Sequence, residues 1–159
     1  MIQQTLVLVK PDGVARGLIG EIIKRFEQRG LKIVGLKLVK IDKDFSKRHY
    51  SAHVDKKFYR GLETMIISGP VVAMVIEGVD AVENVRKICG ATESKSALPG
   101  TIRGDFSHVS YSHADEKNMA VKNVVHSSGD AADAEKEVAL WFSIDELHSY
   151  KRSEDEHVI

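Results

Sequence analysis

The chain is predicted to be an α/β (α+β) protein of ferredoxin-like β-α-β-β-α-β order, with a four-stranded antiparallel sheet, a helical hairpin insertion and a long loop. Three observations carry that expectation. Thr5 to Val9 and Val71 to Ile76 are continuous apolar runs of strand length; each leads into a segment with helical period; and a short apolar run ending at His126 precedes a last helical stretch. At 159 residues and 43% apolar content, one domain spanning 1-159 can bury its core without disulfide or metal staples.

In chain order, Thr5 to Val9 reads as a buried strand stopped by a turn at Lys10-Pro11-Asp12-Gly13. Leu18, Ile19, Ile22, Ile23 and Phe26 then form one apolar face, opposite Glu21, Lys24, Arg25 and Gln28, and Gly30 ends that helix. From Leu31 to Ile41 lysines interleave with Leu, Ile and Val, a strand pattern with Gly35 as a bulge. Asp42 to Ile67 holds a helical hairpin, suggested by Phe45, His49 and Tyr50 and then Phe58, Leu62, Met65 and Ile66. After the strand at Val71 to Ile76, Asp80-Ala-Val-Glu83 has capping-box form and opens a helix closed by Gly90. Residues 91 to 107 read as a long ordered loop, and 108 to 121 are polar and unassigned. Val121 to His126 is the last strand, and Ala131 to Phe142 the last helix, followed by a second capping box at Ser143 to Glu146. The charged segment 151-159 reads as a frayed, flexible tail.

Composition narrows the function. Lys plus Arg and Asp plus Glu are 23 each, so an anionic ligand must be gripped locally rather than by global charge, and nucleic acid is not indicated. Cys89 is the only cysteine and ends an apolar helix face, which suits a buried small hydrophobe in a reducing compartment. No apolar run reaches membrane-spanning length and the start lacks a cleavable leader pattern, so a cytoplasmic protein is expected. The common mononucleotide, dinucleotide and zinc signatures are missing. The ferredoxin-like order also serves RNA binders and regulatory domains, but Val71 to Ile76 carries no aromatic for base stacking, and a regulatory domain has no use for the residues below.

His126 is the candidate around which the chain is organised. A strand delivers it into Ser127-Ser128-Gly129, which leaves little bulk on that side. A nucleophilic histidine needs an acceptor on one ring nitrogen so that the other presents its lone pair, and Glu137 on the following helix is placed to orient it. On pattern alone, a hydrogen-bonded histidine at a strand end remains the leading reading of His126, and a solvated helix carboxylate equally explains Glu137. Lys10 ends a buried strand, Arg86 projects from a helix, and Thr92 and Arg103 lie in the long loop; together they could clamp phosphate. Phe58 follows Lys56-Lys57, an aromatic beside cations. His49 and His53 lie four apart on a helix, where a solvated face explains them better than a shared metal with no third ligand.

Four blocks give these residues a common meaning: LVLVKPDGVARGLIGEIIKRFEQRG, SGPVVAMVIEG, PGTIRGDFS, and NVVHSS with AEKEVALWF. In this order they resemble the nucleoside diphosphate kinases over almost the whole chain. The resemblance implies ping-pong transfer of the γ-phosphate of a nucleoside triphosphate, mainly ATP, to a nucleoside diphosphate through a phosphohistidine. His126 matches the nucleophile and Glu137 its orienter. Lys10, Tyr50, Arg86, Thr92 and Arg103 match residues around the phosphates, Asn123 with Lys10 those at the sugar, and Phe58 the base-stacking position. It implies Mg²⁺ carried by the nucleotide phosphates with no protein ligands, and a homo-oligomer, most often a hexamer. Two departures stand out. Many relatives read H-G-S-D where this chain reads His126-Ser127-Ser128-Gly129-Asp130; Ser128 keeps its place, so a helix-start role is expected there. Between Phe106 and Asn123 the chain is about ten residues longer than is common in the family.

Overall fold

In the computed structural model, which describes residues 1–158, one sheet carries the fold in strand order β2-β3-β1-β4. The strands are Ile2–Val9 (β1), Lys32–Val39 (β2), Val71–Val79 (β3) and Val125–Ser127 (β4), and all neighbours pair antiparallel. The two continuous apolar runs occupy the centre because both of their faces are covered. On one face Val7, Val9, Val72, Met74 and Ile76 pack against Ile22 and Phe26 of α2 (Ile19–Gln28) and Val85 and Cys89 of α5 (Ala81–Cys89). On the other, Leu6, Leu8, Val71, Ala73 and Val75 meet Trp141 of α8 (Ala131–Trp141) and the hairpin α3 (Lys43–His49) and α4 (Tyr59–Ile66). The β-α-β-β-α-β order, the hairpin insertion and the buried Cys89 are as the sequence predicts. The register of β2 on β3 shifts between Ile33 and Gly35, the expected bulge.

Several local expectations are corrected. The Lys10-Pro11-Asp12-Gly13 turn is the start of a short helix, α1 (Pro11–Ala15), because proline at a first helical position lacks only an N–H that would be unpaired anyway. Asp80 caps nothing with its side chain: it adopts left-handed backbone at φ 47°, and its carboxylate meets the amino terminus at 3.3 Å. The last strand is three residues long, not six, because Val124 at φ 62° breaks the extended run. The unassigned segment contains α7 (Tyr111–Glu116), N-capped by Ser110. Over residues 151–158 the tail is tied down rather than frayed, Ile159 lying outside the described residues: the Arg152 guanidinium donates to the carbonyls of Gly30 and Leu31 and pairs with Asp155 in α9 (Asp155–Val158). Among the described residues no helix is long and apolar enough to cross a membrane.

Candidate active site

β1 and β4 end side by side, with Leu8 paired to His126, and this brings the end of β1, the long loop and the start of α8 around one cleft. Lys10, Tyr50, Phe58, Thr92, Arg103, Asn123, His126 and Glu137 all line it. Arg86 is not among the residues that line it; it is exposed on α5, and its charge is one cause that depresses the Arg103 pKa, of which burial is the largest.

The centre is a hydrogen-bonded trio. Both Glu137 oxygens lie 3.0 Å from His126 Nε2, and Ser128 Oγ donates to Glu137 Oε2 at 2.6 Å. Burial pushes the Glu137 pKa up, but the hydrogen bonds from His126 and Ser128 and the nearby imidazoles outweigh it, so the carboxyl sits below its usual range and stays ionised. An ionised carboxylate only accepts, so the network assigns the proton to Nε2 of His126 and the lone pair to Nδ1. Ser128 therefore braces Glu137 instead of starting the helix. The N-cap of α8 is Asp130, whose carboxylate accepts from Asp133 N at 2.9 Å. The one-place shift of the aspartate is thus absorbed as a cap one residue further on.

Two residues that the sequence reading did not single out shape the floor. Val124 is β-branched and yet sits at φ 62°, a strained conformation that must be held from both sides. Asp12 Oδ2 accepts from Val124 N at 3.0 Å, and Lys10 N donates to Val124 O at 2.9 Å. The clamp turns Asn123 toward Lys10, whose ammonium donates to Asn123 Oδ1 and, at 3.2 Å, to Val121 O. Burial pushes the Lys10 pKa down to about 8, against the pull of Asp12. Asn123 Nδ2 donates to Thr92 O at 2.7 Å, joining the long loop to this floor. Arg103, buried in α6 (Ile102–Phe106), donates to Gly90 O at 2.7 Å and Val125 O at 2.9 Å, while its Nε has no partner among the described residues. Phe58 stands 54% exposed at the rim.

The solvated-face reading fails for His49. Its Nδ1 accepts from Trp141 Nε1 at 3.2 Å, its ring stands edge-on to His126 with centroids 4.8 Å apart, and burial pushes its pKa down to about 3. A signal was available in hindsight: histidine and tryptophan, each at the end of an amphipathic helix, both face inward. Among the described residues, ligand atoms of His49, His126 and Glu137 come within 4.8 Å of one another, the one such group. Glu137 is already engaged by His126 Nε2 and Ser128, His49 Nδ1 by Trp141, and one carboxylate with two imidazoles is a poor match for a hard cation such as magnesium. Residues of the extra segment 107–122 line the cleft, and Val121 O touches its floor by accepting from Lys10; Tyr111 N ties the segment to Glu93 Oε1 at 2.9 Å.

Comparison with known proteins agrees with this geometry. The family model described as nucleoside diphosphate kinase matches residues 3–147. The nucleoside diphosphate kinase of Pyrococcus abyssi is 52% identical over 153 residues, covering 96% of this chain and 92% of its own length. That of Borreliella burgdorferi is 46% identical over 161 residues, covering 98% and 96%. A structure of the Borrelia burgdorferi enzyme, a transition-state mimic with bound vanadate and ADP, superposes with a TM-score of 0.95 at 44% identity, covering 99% of this chain and 96% of that one. A Halobacterium salinarum nucleoside diphosphate kinase in complex with CDP gives a TM-score of 0.87 at 45% identity, covering 98% and 97%. A match that runs through sheet, hairpin and cleft alike leaves one conclusion: the chain belongs to the nucleoside diphosphate kinase family.

Proposed function

We propose that His126 carries the phosphoryl group between nucleotides in a ping-pong reaction. The observation that carries the reading is the Glu137 contact to His126 Nε2, which leaves the Nδ1 lone pair as the nucleophile. Nδ1 attacks the γ-phosphorus of a nucleoside triphosphate, mainly ATP; an N–P bond forms, the bond from phosphorus to the β,γ-bridging oxygen breaks, and the diphosphate leaves. The imidazolium character that develops is balanced by Glu137, braced by Ser128. A second nucleoside diphosphate then takes the group by the reverse step.

Phosphoryl transfer asks mainly for alignment and for charge at the equatorial oxygens. Arg103 and Lys10 supply cations, and Thr92 and Tyr50 supply hydroxyls from the same cleft. Arg86, outside the cleft lining, is assigned a longer-range role on incoming phosphates. Lys10 and Asn123 suit the sugar hydroxyls, and exposed Phe58 suits a base stacked by its π-face, which admits any base. Mg²⁺ is assigned to the nucleotide phosphates, where it would neutralise charge without protein ligands. The protein is further proposed to work as a cytoplasmic homo-oligomer, most often a hexamer in this family. The half-exposed Leu36 and Leu38 on β2 support association.

The test is incubation with γ-labelled ATP in the absence of acceptor. The expected product is an acid-labile, base-stable label on the protein that GDP removes, absent in His126→Ala. If the wild type never takes up label, the reading fails; if His126→Ala still labels, the nucleophile lies elsewhere.

A further inference from the structure

We infer that His49 is a positioning residue for His126, with Trp141 setting its tautomer. The inference rests on His126 being the phosphoryl acceptor, and concerns what holds its ring. Glu137 grips only one edge of that ring, at Nε2. A single edge contact leaves the imidazole free to rock about the hydrogen bond, which would swing the Nδ1 lone pair away from the line of attack. Alignment is the quantity that in-line transfer depends on most, and a displacement of about 1 Å can cost about 100-fold in rate.

The second support is the His49 ring, perpendicular to His126 at 83° with centroids 4.8 Å apart. His49 is itself held on other sides: Trp141 donates to its Nδ1 at 3.2 Å and packs edge-on at 5.4 Å, and Tyr50 lies at 4.5 Å. Trp141 is packed in turn against Phe45, with centroids 4.8 Å apart. A chain of aromatic rings thus runs from the hairpin and α8 to the face of the nucleophile.

The tautomer matters as much as the packing. An indole N–H only donates, so Nδ1 of His49 must be the unprotonated nitrogen and Nε2 must carry the hydrogen. Nε2 is buried and has no partner among the described residues. The titratable groups facing His49 are His126, Glu137 and His53, with Tyr50 beside it. Proton uptake at Nδ1 would break the indole bond and set a cation against His126, where it would oppose the developing imidazolium. Trp141 therefore keeps His49 neutral as well as fixed.

The experiment uses the full chain and four proteins: wild type, His49→Ala, His49→Phe and Trp141→Phe. Single-turnover uptake of label from γ-labelled ATP measures the chemical step; binding of a non-hydrolysable ATP analogue measures the ground state; circular dichroism reports folding. His49→Ala is expected to slow label uptake about 100-fold with analogue affinity within about twofold of wild type. His49→Phe, which keeps a flat ring in that place, is expected to recover about tenfold of the loss. Nitrogen-15 NMR of the wild type should show His49 as the neutral Nε2–H form at pH 6, and that of Trp141→Phe a mixture of forms. Equal uptake rates in wild type and His49→Ala, or losses in affinity and uptake that match, overturn the inference. So does a His49 that titrates in the ordinary histidine range. Failure of the wild type to label at His126 defeats the underlying reading instead, so the two failures are distinguishable.

Discussion

Lys10 is 5% exposed, and among the described residues its ammonium has only the oxygens of Val121 and Asn123 as acceptors. Burial brings its pKa down to about 8 from 10.5, so the folded protein releases that proton more readily than the unfolded chain does. The sign follows from linkage. Below pH 8 the cost of a buried cation is present in full; as pH rises from 8 to 10.5 it is relieved, and this residue's contribution to stability increases. Nucleotide binding runs the other way, because phosphate favours the charged lysine. ADP affinity measured by calorimetry should therefore weaken above pH 8, by up to about tenfold per pH unit, with proton uptake on binding. Lys10→Met should bind more weakly and lose that slope. A second residue-scale prediction concerns Ser128, whose hydroxyl donates to Glu137 at 2.6 Å and accepts from Leu6 N at 3.3 Å. Ser128→Ala should cost about 1–3 kcal/mol of stability in a denaturant titration, because a buried N–H and a buried carboxylate both lose a partner. Pattern alone leaves His126 and Glu137 as a strand-end histidine and a solvated carboxylate; their pairing was legible through the block resemblance, helped by their closeness in sequence. His49 was not, since its indole donor lies 92 residues away and no periodicity announces such a contact. The clamp of Asp12 on Val124 spans 112 residues and was hidden for the same reason.

At the scale of elements, α6 presents Arg103 to the floor of the site and is itself held by a close approach. A Cβ on Gly104 would fall well inside the van der Waals radius of the Leu98 carbonyl oxygen, a backbone atom that cannot swing aside. Thr101 caps the same helix by accepting from Gly104 N at 3.0 Å. Gly104→Ala should therefore displace α6, lower stability by about 2–4 kcal/mol in chemical denaturation, and weaken nucleotide binding through Arg103. Uptake of label with wild-type affinity in this variant would show that α6 does not place Arg103. Long periodic elements such as α2 and α8 could be read from sequence because their apolar faces repeat several times. The short ones could not. α1 has five residues and α7 six, too few turns for a period, and β4 is cut by a backbone conformation that valine propensity argues against.

At the scale of the whole molecule, β2 is the long edge of the sheet, and only half of it is covered. The C-terminal segment crosses its beginning: His148 N donates to Val34 O at 2.7 Å and Tyr150 Oη to Ile33 O at 2.7 Å. Beyond the bulge, Leu36 and Leu38 lie 53% and 62% exposed, opposite Met74 and Val72 on β3. An uncovered edge with apolar residues invites pairing with another chain, and proteins that stay monomeric usually interrupt such an edge with charge or proline. Here the two side chains are leucine, the charge of Lys37 between them is paired with Glu146, and the strand has no proline. If β2 is where copies of this chain meet, a lysine in place of Leu38 puts a charge into the seam without disturbing the buried face of the sheet. Sedimentation velocity should then show Leu38→Lys shifted to smaller species than wild type, with a lower midpoint of thermal unfolding and an unchanged far-ultraviolet circular dichroism spectrum at room temperature. Arg152→Ala separates edge covering from edge pairing. Loss of its bonds to Gly30 and Leu31 should lower the unfolding midpoint while leaving the sedimentation coefficient as it is. If Leu38→Lys sediments as the wild type does, the exposed half of β2 is not the surface through which the chain associates.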